Sequence, residues 1–305
     1  MVTGFFMPYS EVTHLNEFLN YLQFQKRYSP HTISAYQTDL ESFFHFVEKE
    51  FEEKGFEIPT TQIRTWLASL KQEGIVSKSI NRKISSLKSF YKFLLRNEKI
   101  EASPMTNIIS LKVNKRLPSF IEEKDMETLF KHVEFPDTWE GRTDLLAIKI
   151  LYQCGLRRSE LMGLKESQLD PGNNNLKVLG KGNKERIIPI NAELQGEIKE
   201  YIKAKQEVFG IMSHPYLLVD DKGKQLNPQQ VYKMVNHYLS LVSTNERKSP
   251  HILRHSFATH MTNNGADINA IKELLGHSSL ASTQVYTSNS IEKLKNIHKN
   301  AHPKA

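Results

Sequence analysis

In the segment "SKSINRKISSLKSFYKFLLRNEK", residues 77–99, the order of apolar and charged residues admits only one regular conformation. Ile80, Ile84, Leu87, Tyr91 and Leu94 recur at intervals of three and four, which gathers them on one side of a helix and scatters them over both faces of a strand. The other faces carry Lys78, Arg82, Lys83, Lys88, Lys92 and Arg96, and no acid stands four residues away to pair with them. The same period runs through the first hundred residues. "HLNEFLNYL" aligns Leu15, Phe18, Leu19 and Leu22, and "SPHTISAYQTDLESFFHFV" aligns Ile33, Leu40, Phe43 and Val47 behind a Ser29 cap and Pro30 at the first helical position. The chain therefore begins as a bundle of helices.

Around residues 103–120, "SPMTNIISLKVNKRLPSF", the period lapses between two prolines, and a linker is expected at 109–118, between a helical domain at 1–108 and a second domain at 119–305. The second part mixes signals. "DLLAIKILYQCGLRRSELMGL" reads as a helix ended by Gly155 and followed by a shorter one. "LKVLGKGNKERIIPI" holds two β-prone runs, 176–179 and 186–190, around a glycine-bearing loop, a hairpin pattern. Helices are expected again near 193–209, 228–242, 250–263 and 267–275, the last stopped by Gly276. The fold class is mainly α with a small antiparallel sheet.

A chain of 305 residues can bury two separate cores. No apolar run is long enough for a membrane span and no secretion signal is evident, so a cytoplasmic protein without membrane contact is expected. The single cysteine, Cys154, excludes an internal disulfide and multi-cysteine metal sites and reads as a buried thiol. The net charge of +7 makes an anionic partner plausible, and its distribution says more. Residues 39–57 hold seven acids against two lysines, whereas residues 71–99 hold eight bases against two acids. The one-signed face of the 77–99 helix is accordingly read as a contact with the DNA backbone.

"SPHILRHSFATH", residues 249–260, poses a choice between metal and phosphate. His251 and His255 are four apart, as in zinc hydrolases, but Ile252 stands where the general-base glutamate belongs and Arg254 would sit beside the ion. A phosphate suits the residues better. Ser249 caps the helix, Pro250 starts it, and His251 and Arg254 follow in the first turns, where free N–H groups and the dipole favour an anion. "GKGNK" lacks the glycine spacing and hydroxyl of a nucleotide loop, and no carboxylate cluster suggests a two-magnesium site. What remains is a metal-free route through an amino-acid nucleophile among several cations, with no cofactor.

"CGLRRSEL", "GKGNKER", "HILRHSFATH", "LLGHSS" and "TQVYT" occur in an order and at separations that resemble the tyrosine recombinase family, nearest to its bacterial Xer group. The resemblance covers almost the whole chain and implies an N-terminal helical (SAM-like) DNA-binding domain before a C-terminal tyrosine recombinase catalytic domain. Carried over position by position, it implies that Arg157 and Arg254 grip the scissile phosphate and that Lys181 protonates the departing 5′ oxygen. His251 and His277 would assist at the same phosphate, and Tyr286 would be the nucleophile. It also implies double-stranded DNA as partner, a homo- or hetero-tetramer on DNA that could include a second Xer-type recombinase, a C-terminal segment that docks on a neighbouring protomer, and a DNA translocase as activator. Chromosome dimer resolution at a dif-like site would follow.

The chemistry fits these residue types independently. A tyrosine hydroxyl with an ordinary pKa of about 10 needs neighbouring cations to become a nucleophile at neutral pH. Guanidiniums can stabilise the pentacoordinate phosphate in place of magnesium, and a lysine can donate a proton to an otherwise poor alkoxide leaving group. Four alternatives stay open: an integrase of a mobile element, a type IB topoisomerase, a noncatalytic DNA-binding regulator and a zinc hydrolase.

Overall fold

The computed structural model describes residues 9–53, 55–113, 119–180, 185–211, 214–276 and 288–304, with the side chains of 9–12 and 288–294 left aside. The chain divides into two compact units, Met1–Arg116 and Leu117–Ala305.

The first unit contains α1 (Tyr9–Asn20), a π turn at Tyr21–Gln25, α2 (Pro30–Phe51), α3 (Thr60–Gln72) and α4 (Ser77–Arg96). Ser29 caps α2 by accepting the Thr32 N–H at 3.3 Å, ahead of Pro30 in the first turn. The apolar stripes face one another. Leu40, Phe43 and Val47 of α2 and Ile80, Ile84, Leu87, Tyr91 and Leu94 of α4 are buried in one core with Phe18, Trp66 and Phe90. Trp66 meets Phe43 edge-on at 5.0 Å, so cutting it back to alanine should cost about 3–5 kcal/mol. The chain remains part of this unit beyond residue 108. Asn81 of α4 donates its side-chain amide to the Leu111 carbonyl (2.8 Å) and accepts the Leu111 N–H (2.7 Å), a clamp that apolar periodicity does not reveal.

The second unit runs through α5 (Glu123–His132), α6 (Trp139–Gln153), α7 (Arg158–Met162), β1 (Leu169–Asp170), β2 (Asn175–Leu179) and β3 (Glu185–Pro189). It continues with α8 (Ala192–Phe209), α9 (Pro228–Val242), α10 (Pro250–Asn263), α11 (Ile268–Leu275) and α12 (Ser288–Ala301). α6 is its centre: Leu146, Ala147, Ile148, Ile150, Leu151 and Tyr152 are all buried, and a helix apolar on most sides has to be surrounded. The sheet is antiparallel in the order β1-β2-β3. The expected hairpin is β2 and β3, and β1 is an addition whose two residues are too short to display an alternation. In the β2–β3 register Val178 faces Arg186 and Leu176 faces Ile188, so Arg186 shares the buried face with three apolar neighbours.

Two helix ends close on left-handed glycines. α6 stops at Gly155, whose φ is +59°, and a Cβ there would stand 2.7 Å from Phe257 and 2.9 Å from Leu275. α11 stops at Gly276, with φ +64°. One cap differs from expectation: Ser249 occupies the cap position of α10, but its side chain accepts no capping hydrogen bond.

The last turns of α12 pack on their own unit. His298 Nε2 donates to the Gln153 carbonyl (3.0 Å), Asn264 donates to the Ala301 carbonyl (2.9 Å), and His298 and His302 stack with ring centres 5.1 Å apart. Both imidazoles are buried beside Phe257. Among the described residues no helix is long and apolar enough to cross a membrane.

Candidate functional site

Arg157 and Arg254 come from segments almost a hundred residues apart and converge on one carboxylate, Glu160. Arg157 precedes α7 in extended conformation, and Glu160 reaches back to accept its backbone N–H at 2.8 Å, half of a capping box. The same carboxylate accepts the Arg157 guanidinium at 2.7 Å. From β3, Arg186 approaches it with two parallel bonds of 2.9 and 2.8 Å, the two-pronged geometry that only arginine provides. Arg254 completes the group, 3.7 Å from Glu160.

Four hydrogen bonds saturate the acceptor positions of a carboxylate. Burial pushes the Glu160 carboxyl upward, but the bonds and charge of Arg186, followed by those of Arg157, outweigh it and hold the group below the usual range. Glu160 is therefore an anion at neutral pH, and among the described residues the three guanidiniums around it exceed its charge by two. Burial and the charge of Arg157, opposed by Glu160, lower Arg254 to about 10, which still leaves it charged at neutral pH.

The arginines also hold main-chain oxygens. Arg254 donates to the carbonyls of Gly155 (2.7 Å) and Leu275 (2.5 Å), Arg186 Nε donates to that of Leu274 (2.7 Å), and Arg157 to that of Gly276 (3.4 Å). Three consecutive carbonyls at the end of α11, groups that a helix leaves without internal partners, are each satisfied by a different guanidinium. His277 comes next in the sequence.

His251 is exposed in the first turn of α10, one turn before the buried Arg254. Lys181, His277 and Tyr286 lie outside the described residues. Arg158 is directed away, donating to the Pro228 carbonyl at 3.4 Å. His260, in the same histidine-rich stretch, shares a 2.8 Å hydrogen bond with the buried Tyr152 hydroxyl and belongs to the core. Cys154 is buried, and burial pushes its thiol up to about 12. Glu160 and Arg186 were present in the motifs "GLRRSEL" and "GKGNKER" without an assigned task. The spacing of Glu160 from the helix start and the alternation of Arg186 with Ile188 are the signals that locate them.

On α4 the basic residues divide. At about 100° per residue, Lys78, Arg82, Lys92 and Arg96 fall in a stripe roughly 80° wide, with Lys88 near its edge and Lys83 about 140° away. All but Lys83 are exposed. Lys83 is placed differently from the rest of the expected set: its side chain is 13% exposed, lies 3.4 Å from Asp39 and sits over the Trp66 ring at 5.5 Å. Arg82 bonds to the same buried Asp39 (2.5 Å) but remains half-exposed.

A cluster of guanidiniums that exceeds its buried counter-ion by two charges can attract and hold an anion. Residues 119–293 match the family model for the phage integrase family, and residues 15–98 match that for the phage integrase N-terminal SAM-like domain. The chain belongs to the phage integrase family, the tyrosine recombinases, enzymes that break and rejoin DNA in site-specific recombination. Its relatives include the tyrosine recombinase XerC of Chlorobaculum parvum, 36% identical over 95% of this chain and 94% of that one. The tyrosine recombinase XerC of Listeria innocua is 37% identical over 94% and 97%. In fold, the chain is similar to a XerH site-specific recombinase bound to a palindromic difH substrate (TM-score 0.70, 22% identity, 92% of this chain and 82% of that one). It is also similar to the Tn1549 transposon integrase in complex with transposon right end DNA (TM-score 0.67, 18% identity, 92% and 97%).

Proposed function

We propose that this protein exchanges DNA strands through a 3′-phosphotyrosine intermediate without a metal ion. The observation that carries the reading is the convergence of Arg157 and Arg254 on Glu160 with two positive charges to spare. A phosphodiester enters with one negative charge, and attack by a phenolate produces a dianionic pentacoordinate phosphate, which such a cluster stabilises more than the ground state. Tyr286 Oη forms the bond to phosphorus and the bond to the 5′ oxygen breaks. Lys181 supplies the proton that oxygen needs, while His251 and His277 hydrogen-bond the same phosphate. The phosphodiester's energy is conserved in the tyrosyl ester, so a 5′ hydroxyl from another strand reseals it without ATP.

The α4 stripe of Lys78, Arg82, Lys92 and Arg96, with Lys88 at its edge, would track the DNA backbone and leave base reading to other residues. We further infer a cytoplasmic tetramer on double-stranded DNA, alone or with a second Xer-type recombinase; a C-terminal segment docked on a neighbouring protomer would first have to release the last turns of α12, which pack on their own unit. The similarity to XerC proteins supports an Xer-type role, from which we infer chromosome dimer resolution at a dif-like site with a DNA translocase as the activating partner. Likeness in fold to a transposon integrase gives integration of a mobile element as the second reading.

The test uses nicked DNA that carries the protein's selected binding site, incubated in EDTA and denatured in SDS. A covalent adduct mapped to Tyr286 and lost in Tyr286→Phe is the expected result. Tight, specific binding with no adduct, even with the four-protomer complex assembled, would overturn covalent cleavage. Resolution of a dimeric plasmid bearing chromosomal dif-like sites would then separate dimer resolution from integration.

A further inference from the structure

Arg186 is the most completely buried arginine of the cluster, with a side chain 4% exposed, so its guanidinium is the least accessible of the three to a DNA phosphate. All three of its nitrogens are nevertheless engaged. Two bond to Glu160 of α7 and the third to the Leu274 carbonyl at the end of α11. A Cβ on Gly276 would press on its Cδ at 3.1 Å and Nη1 at 3.3 Å. Three segments are thus joined through one side chain: β3, which leaves the loop that contains Lys181 five residues earlier; α7, which carries Arg157 at its start; and α11, which leads to His277.

We propose that Arg186 is a positioning residue for strand cleavage, holding the β2–β3 hairpin in register with Arg157 so that Lys181 reaches the departing 5′ oxygen. The inference rests on the covalent-cleavage reading. Arg186 itself touches no phosphate and acts through the hairpin. A flat, forked donor matches the side-by-side oxygens of Glu160 with two parallel bonds while its Nε reaches the carbonyl, a fixed spacing that the single nitrogen of an ammonium does not reproduce.

Leaving-group chemistry tests this. An oxygen leaving group departs only with a proton from Lys181, whereas sulfur in the bridging 5′ position departs as a thiolate, whose conjugate acid has an ordinary pKa of about 8.5 and needs no donor. Arg186→Lys keeps the charge beside Glu160 and loses the fork. Its single-turnover cleavage is compared with wild type on two nicked substrates, identical except for oxygen or sulfur at the bridging position, after DNA binding and thermal melting are measured. General-acid catalysis contributes roughly 10²–10⁴-fold, so a misplaced Lys181 should slow the oxygen substrate by at least about tenfold while the sulfur substrate is cleaved within about threefold of wild type. If Arg186→Lys melts below the assay temperature, the same comparison is made below its melting midpoint, where the folded variant binds DNA.

An equal loss on both substrates, or no loss on either, overturns the positioning role. Absence of adduct with the wild-type protein on both substrates instead overturns the covalent-cleavage reading, so the two failures are told apart on one gel.

Discussion

Asp39 in the helical unit and Glu160 in the C-terminal unit are both buried carboxylates that bond to basic side chains from other segments, yet the cations they gather finish in different surroundings. Asp39 draws Arg82, Lys83 and the Ser86 hydroxyl from α4 to α2, and Arg82 keeps half of its side chain in solvent. Glu160 draws three arginines from three segments into a site where two are buried and the third mostly so. In the first case the acid ties two helices and removes Lys83 from a basic face. In the second it concentrates positive charge where water is scarce, and charges in such a setting act on a bound anion far more strongly than at a surface. An arginine near an acid in a sequence can therefore mean a helix tie or a buried concentration of positive charge, the arrangement proposed above to hold a phosphate. The number of guanidiniums per carboxylate decides which.

The largest effect should come from removing the hubs. Glu160→Ala leaves three guanidiniums without their shared anion and should lower stability by about 3–5 kcal/mol, the cost of breaking a buried ion pair, and abolish the covalent adduct. Asp39→Ala should cost less, about 1–3 kcal/mol, because Arg82 can turn to solvent. Equal midpoint shifts for the two in denaturant titrations would break the comparison.

A smaller effect separates the two kinds of lysine on α4. Lys92→Ala should reduce the slope of log K against log salt by about 0.9, the loss of one phosphate contact. Lys83→Ala should leave that slope unchanged and lower stability by about 1 kcal/mol through the lost contact with Trp66. A slope change with Lys83→Ala would restore it to the DNA-facing set.

The mildest prediction concerns pH. Burial holds His298 below the ordinary histidine range, and burial with the neighbouring His298 holds His302 well below it. Both are neutral when folded, while the unfolded chain takes up protons below about pH 6.5. Their contribution to stability is complete above that value and lost as pH falls toward the folded pKa values. The melting temperature should decline between about pH 7 and pH 5, and decline less in His302→Phe. An unchanged pH dependence in that variant would remove His302 from the account.

Much of the fold was legible because periodicity, caps and terminal glycines are local. α9 starts at the Asn227-Pro228 signal, and α11 ends at Gly276. The site was legible only in part. Arg157 and Arg254 stand out through motif order, but the bond from Arg186 to Leu274 joins residues 88 positions apart, and that from Arg254 to Gly155 joins residues 99 apart. Spacing along a chain carries no record of such meetings. The placement of Lys83 was hidden for a related reason: its charge is visible in the sequence, whereas the buried Asp39 that it pairs with belongs to another helix.

The acceptors that seat the arginines have a consequence for mutational mapping. Gly155, Leu274, Leu275 and Gly276 offer main-chain oxygens, which every amino acid possesses. A scan that truncates one side chain at a time cannot delete them, and would attribute the seating of Arg254 and Arg186 to Glu160 alone. Half of the cradle is written in the path of the backbone, where only changes that bend that path, above all at the two left-handed glycines, can reach it.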